Sequence, residues 1–285
     1  MSNPFKMDLS GKVATVTGGS GVLCSCMAKA LAACGAKVAV LGRRMDALEV
    51  VVAEIKAAGG QAMAFSCDVL KRDTLEAANQ AIEAAFGPID ILINGAGGNH
   101  PKGTTSKSYL EPADLVDAQE GLKTFFDLDM PSIEFVFNLN FIGTLLPIQV
   151  FSRSMAERGS GVIINVSSMS AFKPLTRIPA YSGAKSAVNN LTQWLAVHLS
   201  KVGVRVNAIA PGFFLSDQNR SLLTNDDGSL TERGGMILAH TPAGRFGKPE
   251  DLIGALLWLV NEEAASFVTG TVIPVDGGFN AFAGV

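Results

Sequence analysis

Short β-branched runs that alternate with helix-length apolar patterns constrain this chain more than any other feature of its 285 residues. The first run, Val13 to Thr17, ends in Gly18-Gly19-Ser20-Gly21 and gives way to a helical pattern through Met27, Ala30 and Leu31. Lys37 to Leu41 follows and stops at Gly42-Arg43-Arg44. Helical 45–58 leads to strand 61–66, and helical 73–86 to strand 89–93. Past residue 131 the rhythm resumes: a long helix at about 132–157, strand 161–166, a helix carrying Tyr181 and Lys185 to about Lys201, strand 204–210, helix 249–260 and strand 271–275. Strands spaced by helices predict an α/β fold with a doubly wound parallel sheet and right-handed crossovers. Ligands of such sheets bind beyond the carboxyl ends of the strands.

The loops at those ends carry chemistry. A strand, a glycine turn and a helix in that order cradle a phosphate, because glycine lets the backbone approach and the helix N-terminal amides face the anion. Gly18, Ser20, Gly21, Val22 and Leu23 form that cradle, although the spacing is not G-x-G-x-x-G. After the second strand, an acid that would bind ribose hydroxyls is replaced by Gly42, Arg43 and Arg44, which suit a 2′-phosphate. NADP(H) is therefore favoured, with NAD(H) the alternative. Asp68, at the end of the third strand, can bond an adenine amino group. Val69, Asn94, Ala96, Gly97, Pro211, Gly212 and Phe214 complete the expected cofactor contacts.

The pair Tyr181 and Lys185 lies four residues apart, on one helix face with about 6 Å between Cβ atoms. A free phenol titrates near pH 10, and an adjacent ammonium favours the phenolate, so Lys185 is expected to lower the Tyr181 pKa. Two polar stretches interrupt the rhythm. Residues 99–131 read as a substrate wall and lid, and 213–247 as a cap over the pocket.

Composition excludes several partners. A net charge of −3 with no basic run argues against nucleic acid. Cys24, Cys26, Cys34 and Cys67 lack metal-ligand spacing and read as buried free thiols, and no metal is expected. Met1 to Ser10 has no apolar signal core, and no apolar run reaches the 18 or so residues of a membrane span, so a cytoplasmic protein acting on a small molecule is expected.

Taken together, these residues resemble the short-chain dehydrogenase/reductase family over essentially the whole chain. The resemblance rests on Thr17-Gly18-Gly19-Ser20-Gly21, Cys67-Asp68-Val69, Asn94-Gly95-Ala96-Gly97, Asn140 with Gly143, Ser168, Tyr181 with Lys185, Pro211-Gly212 and Asp276-Gly277-Gly278, in that order. It implies one doubly wound Rossmann domain over 1–285 with seven parallel strands, usually assembled as a homotetramer. It also assigns roles: Tyr181 as general acid or base, Lys185 as its pKa modulator and ribose ligand, Ser168 as a partner of the substrate oxygen, and Asn140 as holder of a relay water. Two departures stand out. Val22 and Cys24 occupy the last two glycine positions of the family turn, and the threonine usual after Pro-Gly is missing from Phe213-Phe214-Leu215-Ser216, leaving backbone groups or Ser216 to serve.

Within the family, Gly97 to Lys102 and Ser170 to Leu175 are most similar to the sugar-acid reductases that interconvert fructuronate and mannonate. A sugar-acid carboxylate wants a cation, and polyols want amide and hydroxyl partners. Lys102, Asn99, His100 and Lys173 are the candidate substrate residues, with Arg177 a competing cation. Reduction of another keto-sugar acid such as 5-ketogluconate is the nearest alternative, and a catalytically silent dinucleotide sensor the remote one. A bulky apolar ketone is disfavoured because Phe213 and Phe214 are the only aromatic pair expected near the pocket.

Overall fold

The computed structural model describes residues 7–116, 120–215 and 220–284. Seven strands form one sheet: β1 Val13–Thr17, β2 Lys37–Gly42, β3 Gln61–Ser66, β4 Ile91–Asn94, β5 Gly161–Val166, β6 Val204–Pro211 and β7 Val272–Val275. Their order is β3-β2-β1-β4-β5-β6-β7 and every pairing is parallel. The α/β doubly wound expectation is met. Expected strand 89–93 begins later, at Ile91, because the Asp90 carboxylate is used to accept the Val13 N–H at 2.9 Å.

Strand side chains alternate between two faces, and each face has its own helices. Ala14 and Val16 pack with Met27 and Leu31 of α1 (Val22–Ala33), Val52 and Ile55 of α2 (Met45–Ala57), and Leu256 and Leu259 of a helix near the C-terminus. Val13, Ala39 and Leu41 point the other way, onto Leu75 and Ile82 of α3 (Arg72–Phe86) and onto Ile148, Phe151 and Leu195. Parallel register then aligns the strand ends. Thr17 sits beside Leu41 and Asn94, and Asn94 beside Asn165, so loops far apart in sequence open on one edge.

The single helix expected at 132–157 is broken. It runs as α4 (Met130–Phe137), a π turn (Asn138–Ile142), α5 (Gly143–Phe151) and α6 (Arg153–Arg158). Asn140 explains the π turn: its side-chain amide donates to the Val136 carbonyl at 2.8 Å, taking the acceptor that its own backbone N–H would use in an α-helix. Pro147 inside α5 removes another backbone donor. Met130–Phe151 is nonetheless long and apolar enough, at 22 residues and mean hydropathy 1.4, to cross a membrane, which corrects the expectation that no run would pass that test. It packs against α3 and against α7 (Pro179–His198), as a core helix does.

The insertion after β4 is built from short turns rather than being structureless. Three 3₁₀ turns, Pro101–Gly103, Pro112–Leu115 and Phe125–Asp127, are capped by His100, Glu111 and Thr124. The segment after β6 holds α8 (Arg220–Leu223) and α9 (Glu232–Ala239), closed over a small cluster of Leu223, Ile237 and Phe246. Part of each segment, and Ser216, lies outside the described residues. A last helix, α10 (Ile253–Val260), follows a 3₁₀ turn at Pro249–Leu252, so the expected helix 249–260 begins as a tighter turn.

Candidate active site

Helix α7 starts on Pro179, whose fixed φ suits a first helical position. That start places Tyr181 in the first turn and Lys185 in the second, with Lys185 buried. Ser168, 7% exposed, leaves the end of β5 and caps a 3₁₀ turn, its hydroxyl accepting from the Ser170 N–H at 3.2 Å and the Ser170 hydroxyl at 3.0 Å. Ser168 also reaches Tyr181 through a side-chain hydrogen bond. The structure thus joins the serine and the phenol, thirteen positions apart in sequence.

Electrostatics at the phenol differ from the expectation. Burial pushes the Tyr181 pKa up, and the bond to Ser168 only partly offsets this. Lys185 lies 5.7 Å from the ring centroid and donates to the Val166 carbonyl at 2.8 Å, so its charge is aimed at a backbone oxygen. Burial brings Lys185 itself down to about 8, with Cys24 pulling the other way. Burial also raises the Cys24 thiol to about 11 and Cys67 to about 12, so neither is a thiolate at neutral pH. Cys26 and Cys34 are half-buried rather than buried.

Asn140 is fully buried, and its side chain is occupied by protein groups. Besides Val136, it donates to the Gly98 carbonyl at 2.7 Å and accepts the Gly98 N–H at 3.2 Å. A methyl placed on Gly97 would lie 2.7 Å from Asn140 Oδ1 and 3.2 Å from Lys185 Nζ, so both side chains flank one backbone point. Asn140 therefore positions the loop beside Lys185.

Backbone shape supports a dinucleotide cradle between β1 and α1. Gly18 has φ +64°, and a Cβ there would meet the Ala96 backbone at 2.9 Å. Gly21 caps α1, and no acid lies in the first turn of that helix, where a phosphate would be stabilised. Thr17 locks the neighbouring loop by accepting the Gly95 and Ala96 N–H groups at 3.1 and 3.3 Å. Arg43 and Arg44 are exposed at the end of β2, and neither makes an ion pair among the described residues. Asp68 uses one oxygen to accept the Leu70 N–H, and Val69 packs where a Cβ on Gly143 would come within 2.9 Å.

Other expected cofactor residues serve the scaffold. The Asn94 amide donates to Asn165 at 3.0 Å, and Asn165 donates to Thr192 of α7 at 2.9 Å, a chain that ties two strands to the Tyr181 helix. Pro211 ends β6, and Gly212 lies so close to Asp276 that a Cβ would approach its Cα at 2.6 Å. Phe214 is buried, 6% exposed, with its ring against Gly247, and lines a small pocket with Phe213, Val275 and Asp276.

A cavity of about 450 Å³ opens along the loop between Ser168 and Tyr181, although neither of those two residues lines it. One wall is the loop Lys173 to Arg177 that joins Ser168 to Tyr181; the others are Ser108 and Tyr109 of the insertion after β4, Phe213, the cap helix α9 and the C-terminal Phe279 and Phe282. Its aromatic lining exceeds the single Phe213–Phe214 pair expected, because the C-terminal segment folds back, with Phe279 edge-on to Phe213 at 5.4 Å. Lys173 lines the cavity and donates to the Phe282 carbonyl at 3.0 Å. Asn99, His100 and Lys102 do not line it. Asn99 donates to Thr104, His100 caps the first 3₁₀ turn, and Lys102 and His100 lie near Asp129, whose carboxyl is held below the usual range chiefly by the Ser132 hydroxyl and then by the Ser132 N–H, with these two residues adding less. Arg233, on α9, lines the cavity and carried no local signal; it is brought in from the cap.

The short chain dehydrogenase family matches residues 12–227. The chain belongs to this family. It is an oxidoreductase acting on alcohol and keto groups with a nicotinamide dinucleotide. It is 53% identical over 282 residues, 99% of each chain, to the uncharacterized oxidoreductase UxuB of Bacillus subtilis strain 168. A solved putative D-mannonate oxidoreductase from Haemophilus influenza with bound NAD is 51% identical, with TM-score 0.93 over 99% of each chain. Short-chain dehydrogenases less like this chain include 7alpha-hydroxysteroid dehydrogenase of Escherichia coli K12, 32% identical over 98% of each. A gluconate 5-dehydrogenase from Burkholderia cenocepacia solved with NADP and tartrate is 28% identical, TM-score 0.80, over 98% of each.

Proposed function

We propose that this short-chain dehydrogenase interconverts a keto sugar acid and its hydroxy acid, with D-fructuronate and D-mannonate the first pair to test. The observation that carries this reading is the cavity along Lys173 to Arg177, the loop between Ser168 and Tyr181, whose described charged lining is wholly cationic. The solved relative named a putative D-mannonate oxidoreductase supports the same substrate class.

The residues account for the proton chemistry. With its pKa raised, Tyr181 keeps its proton at neutral pH and can donate it to an oxygen that gains charge as a ketone is reduced. Ser168, bonded to Tyr181, supplies a second hydroxyl to that oxygen, and the Lys185 ammonium behind the ring stabilises the phenolate left by donation. In the oxidative direction the same phenol must first lose its proton. The dinucleotide, held along Gly18 to Leu23, Asp68 and Gly97, would exchange the hydride. Arg43 and Arg44 support tighter binding of NADP(H) than of NAD(H), and the NAD in the solved relative supports use of both.

A second reading is favoured by Phe213, Phe279, Phe282 and Met236 in the cavity wall: a keto acid with an apolar body, as in the steroid-acting relative. A panel of D-fructuronate, 5-keto-D-gluconate and 7-oxo bile acids, each with NADH and NADPH and followed by nicotinamide absorbance, separates the two. Turnover of bile acids alone would remove the sugar-acid reading.

A further inference from the structure

We propose that Arg177 and Arg233 form a two-arginine clamp for the substrate carboxylate, at the end of the cavity away from the reacting carbonyl. The proposal rests on the keto-acid reading above and gives it a location. Arg177 comes from the loop between Ser168 and Tyr181, and Arg233 from α9 in the cap, 56 positions later by their numbers. Both line the same cavity, and both are half-buried.

Three observations point to an anion between them. First, the described lining contains Lys173, Arg177, Arg233 and His240 but no aspartate or glutamate, and neither arginine pairs with a carboxylate among the described residues. Lys173 is already committed to the Phe282 carbonyl, and His240 Nδ1 lies 2.8 Å from the Met236 carbonyl. Arg177 donates only its Nε, to the Thr105 carbonyl at 2.9 Å, which leaves its two terminal nitrogens for a ligand. Secondly, the two guanidinium groups disfavour each other. Arg233 is held below its ordinary value by burial and then by the Arg177 charge, an arrangement that a carboxylate between them would relieve.

Thirdly, Arg177 is the one non-glycine residue with positive φ, +74°, among the described residues. That conformation is held by reciprocal bonds with Thr105, whose N–H donates to the Arg177 carbonyl at 2.9 Å. Backbone strain of this kind persists where the surroundings over-determine it, often at ligand clamps. Here it joins the insertion after β4 to the loop beside Tyr181. A guanidinium fork matches a carboxylate in geometry as well as charge.

The test is equilibrium binding by calorimetry to the NADH-loaded protein, with D-mannonate, its uncharged counterpart D-mannitol, and glycocholate as an apolar carboxylate. Mannonate is expected to bind more tightly than mannitol by roughly tenfold or more, with Arg233→Gln losing most of that preference while NADH binding and melting temperature stay native, and Arg177→Gln losing it together with some stability because its Nε also holds the Thr105 carbonyl. Arg233→Lys should restore part of it. If glycocholate replaces mannonate as the ligand with the same arginine dependence, the clamp stands and the sugar-acid reading fails. The clamp is overturned if the folded Arg233→Gln protein keeps the full preference, if Lys102→Met abolishes it instead, or if the parent binds no carboxylate better than mannitol.

Discussion

Lys185 donates a 2.8 Å hydrogen bond to the Val166 carbonyl, fixing the ammonium at the end of β5 and 5.7 Å from the Tyr181 ring. This buried cation sets a pH dependence. Its folded pKa is about 8 against an ordinary 10.5, so between those values the unfolded chain binds the extra proton and stability rises with pH. Below pH 8 the charged form costs the fold roughly 3 kcal/mol. Tyr181, Cys24 and Cys67 act oppositely at higher pH, since the folded protein keeps protons that the unfolded chain releases. Lys185→Met removes the first effect, and its influence on Cys24 is felt only at higher pH, where that thiol titrates. Its stability relative to the parent, from urea unfolding, should fall by roughly 1 kcal/mol between pH 7 and 9; a difference independent of pH would place the lysine outside this environment.

Tyr181→Phe removes a hydroxyl that Ser168 and Lys185 both approach. Turnover should drop by roughly 10²–10⁴-fold in either direction while NADH affinity stays within a factor of about two. Ser168→Ala should cost less, since it leaves the proton donor in place. Single-turnover absorbance decay checks both, and a Tyr181→Phe protein as fast as the parent would mean that another group carries the proton.

Arg43→Ala tests the nucleotide preference. An exposed arginine facing a 2′-phosphate makes a charge-assisted bond that NADH cannot offer, so NADPH affinity should weaken by about tenfold with NADH little changed. Fluorescence titration of both cofactors decides it: equal weakening removes the phosphate contact.

The sheet and the Ser168, Tyr181 and Lys185 set were legible because both depend on local pattern. β3 follows its expected bounds at 61–66, and the serine, phenol and amine are delivered by the end of one strand and the first turns of one helix. The π turn was not legible, since it depends on Asn140 meeting Gly98, a partner 42 positions away. Nor was the pull on Tyr181: spacing showed that Lys185 shares its face, but not that a strand carbonyl would claim the ammonium. Lys102 looked like a carboxylate ligand because it is a cation in an insertion. Folding sets it beside Asp129, while Arg233, in a stretch with no motif, is carried to the cavity by the cap.

Gly18→Ala should damage stability and cofactor binding together. The substitution puts a Cβ 2.9 Å from backbone atoms of Ala96 at φ +64°, where neither neighbour is a side chain that could rotate away. A loss of about 1–3 kcal/mol in urea unfolding is expected, with NADH affinity reduced more than tenfold because the same turn faces the phosphates. Unchanged affinity in a folded variant would move the dinucleotide off this turn.

Asn140→Ala tests the positioning role. The substitution strands the Gly98 carbonyl and N–H and frees the Val136 carbonyl that holds the π turn open. Unpaired buried groups of this kind cost about 1–3 kcal/mol. The loop that moves is the one that passes Lys185 at Gly97, so kcat should fall further than the stability loss alone explains, and the alkaline limb of the oxidation rate should shift as the lysine's surroundings loosen. Gln at the same site keeps the amide but lengthens the reach, and is expected to recover stability better than rate. If Asn140→Ala unfolds like the parent and keeps its pH profile, the amide is not what holds Gly98 against the π turn, and the coupling between that turn and Lys185 is absent.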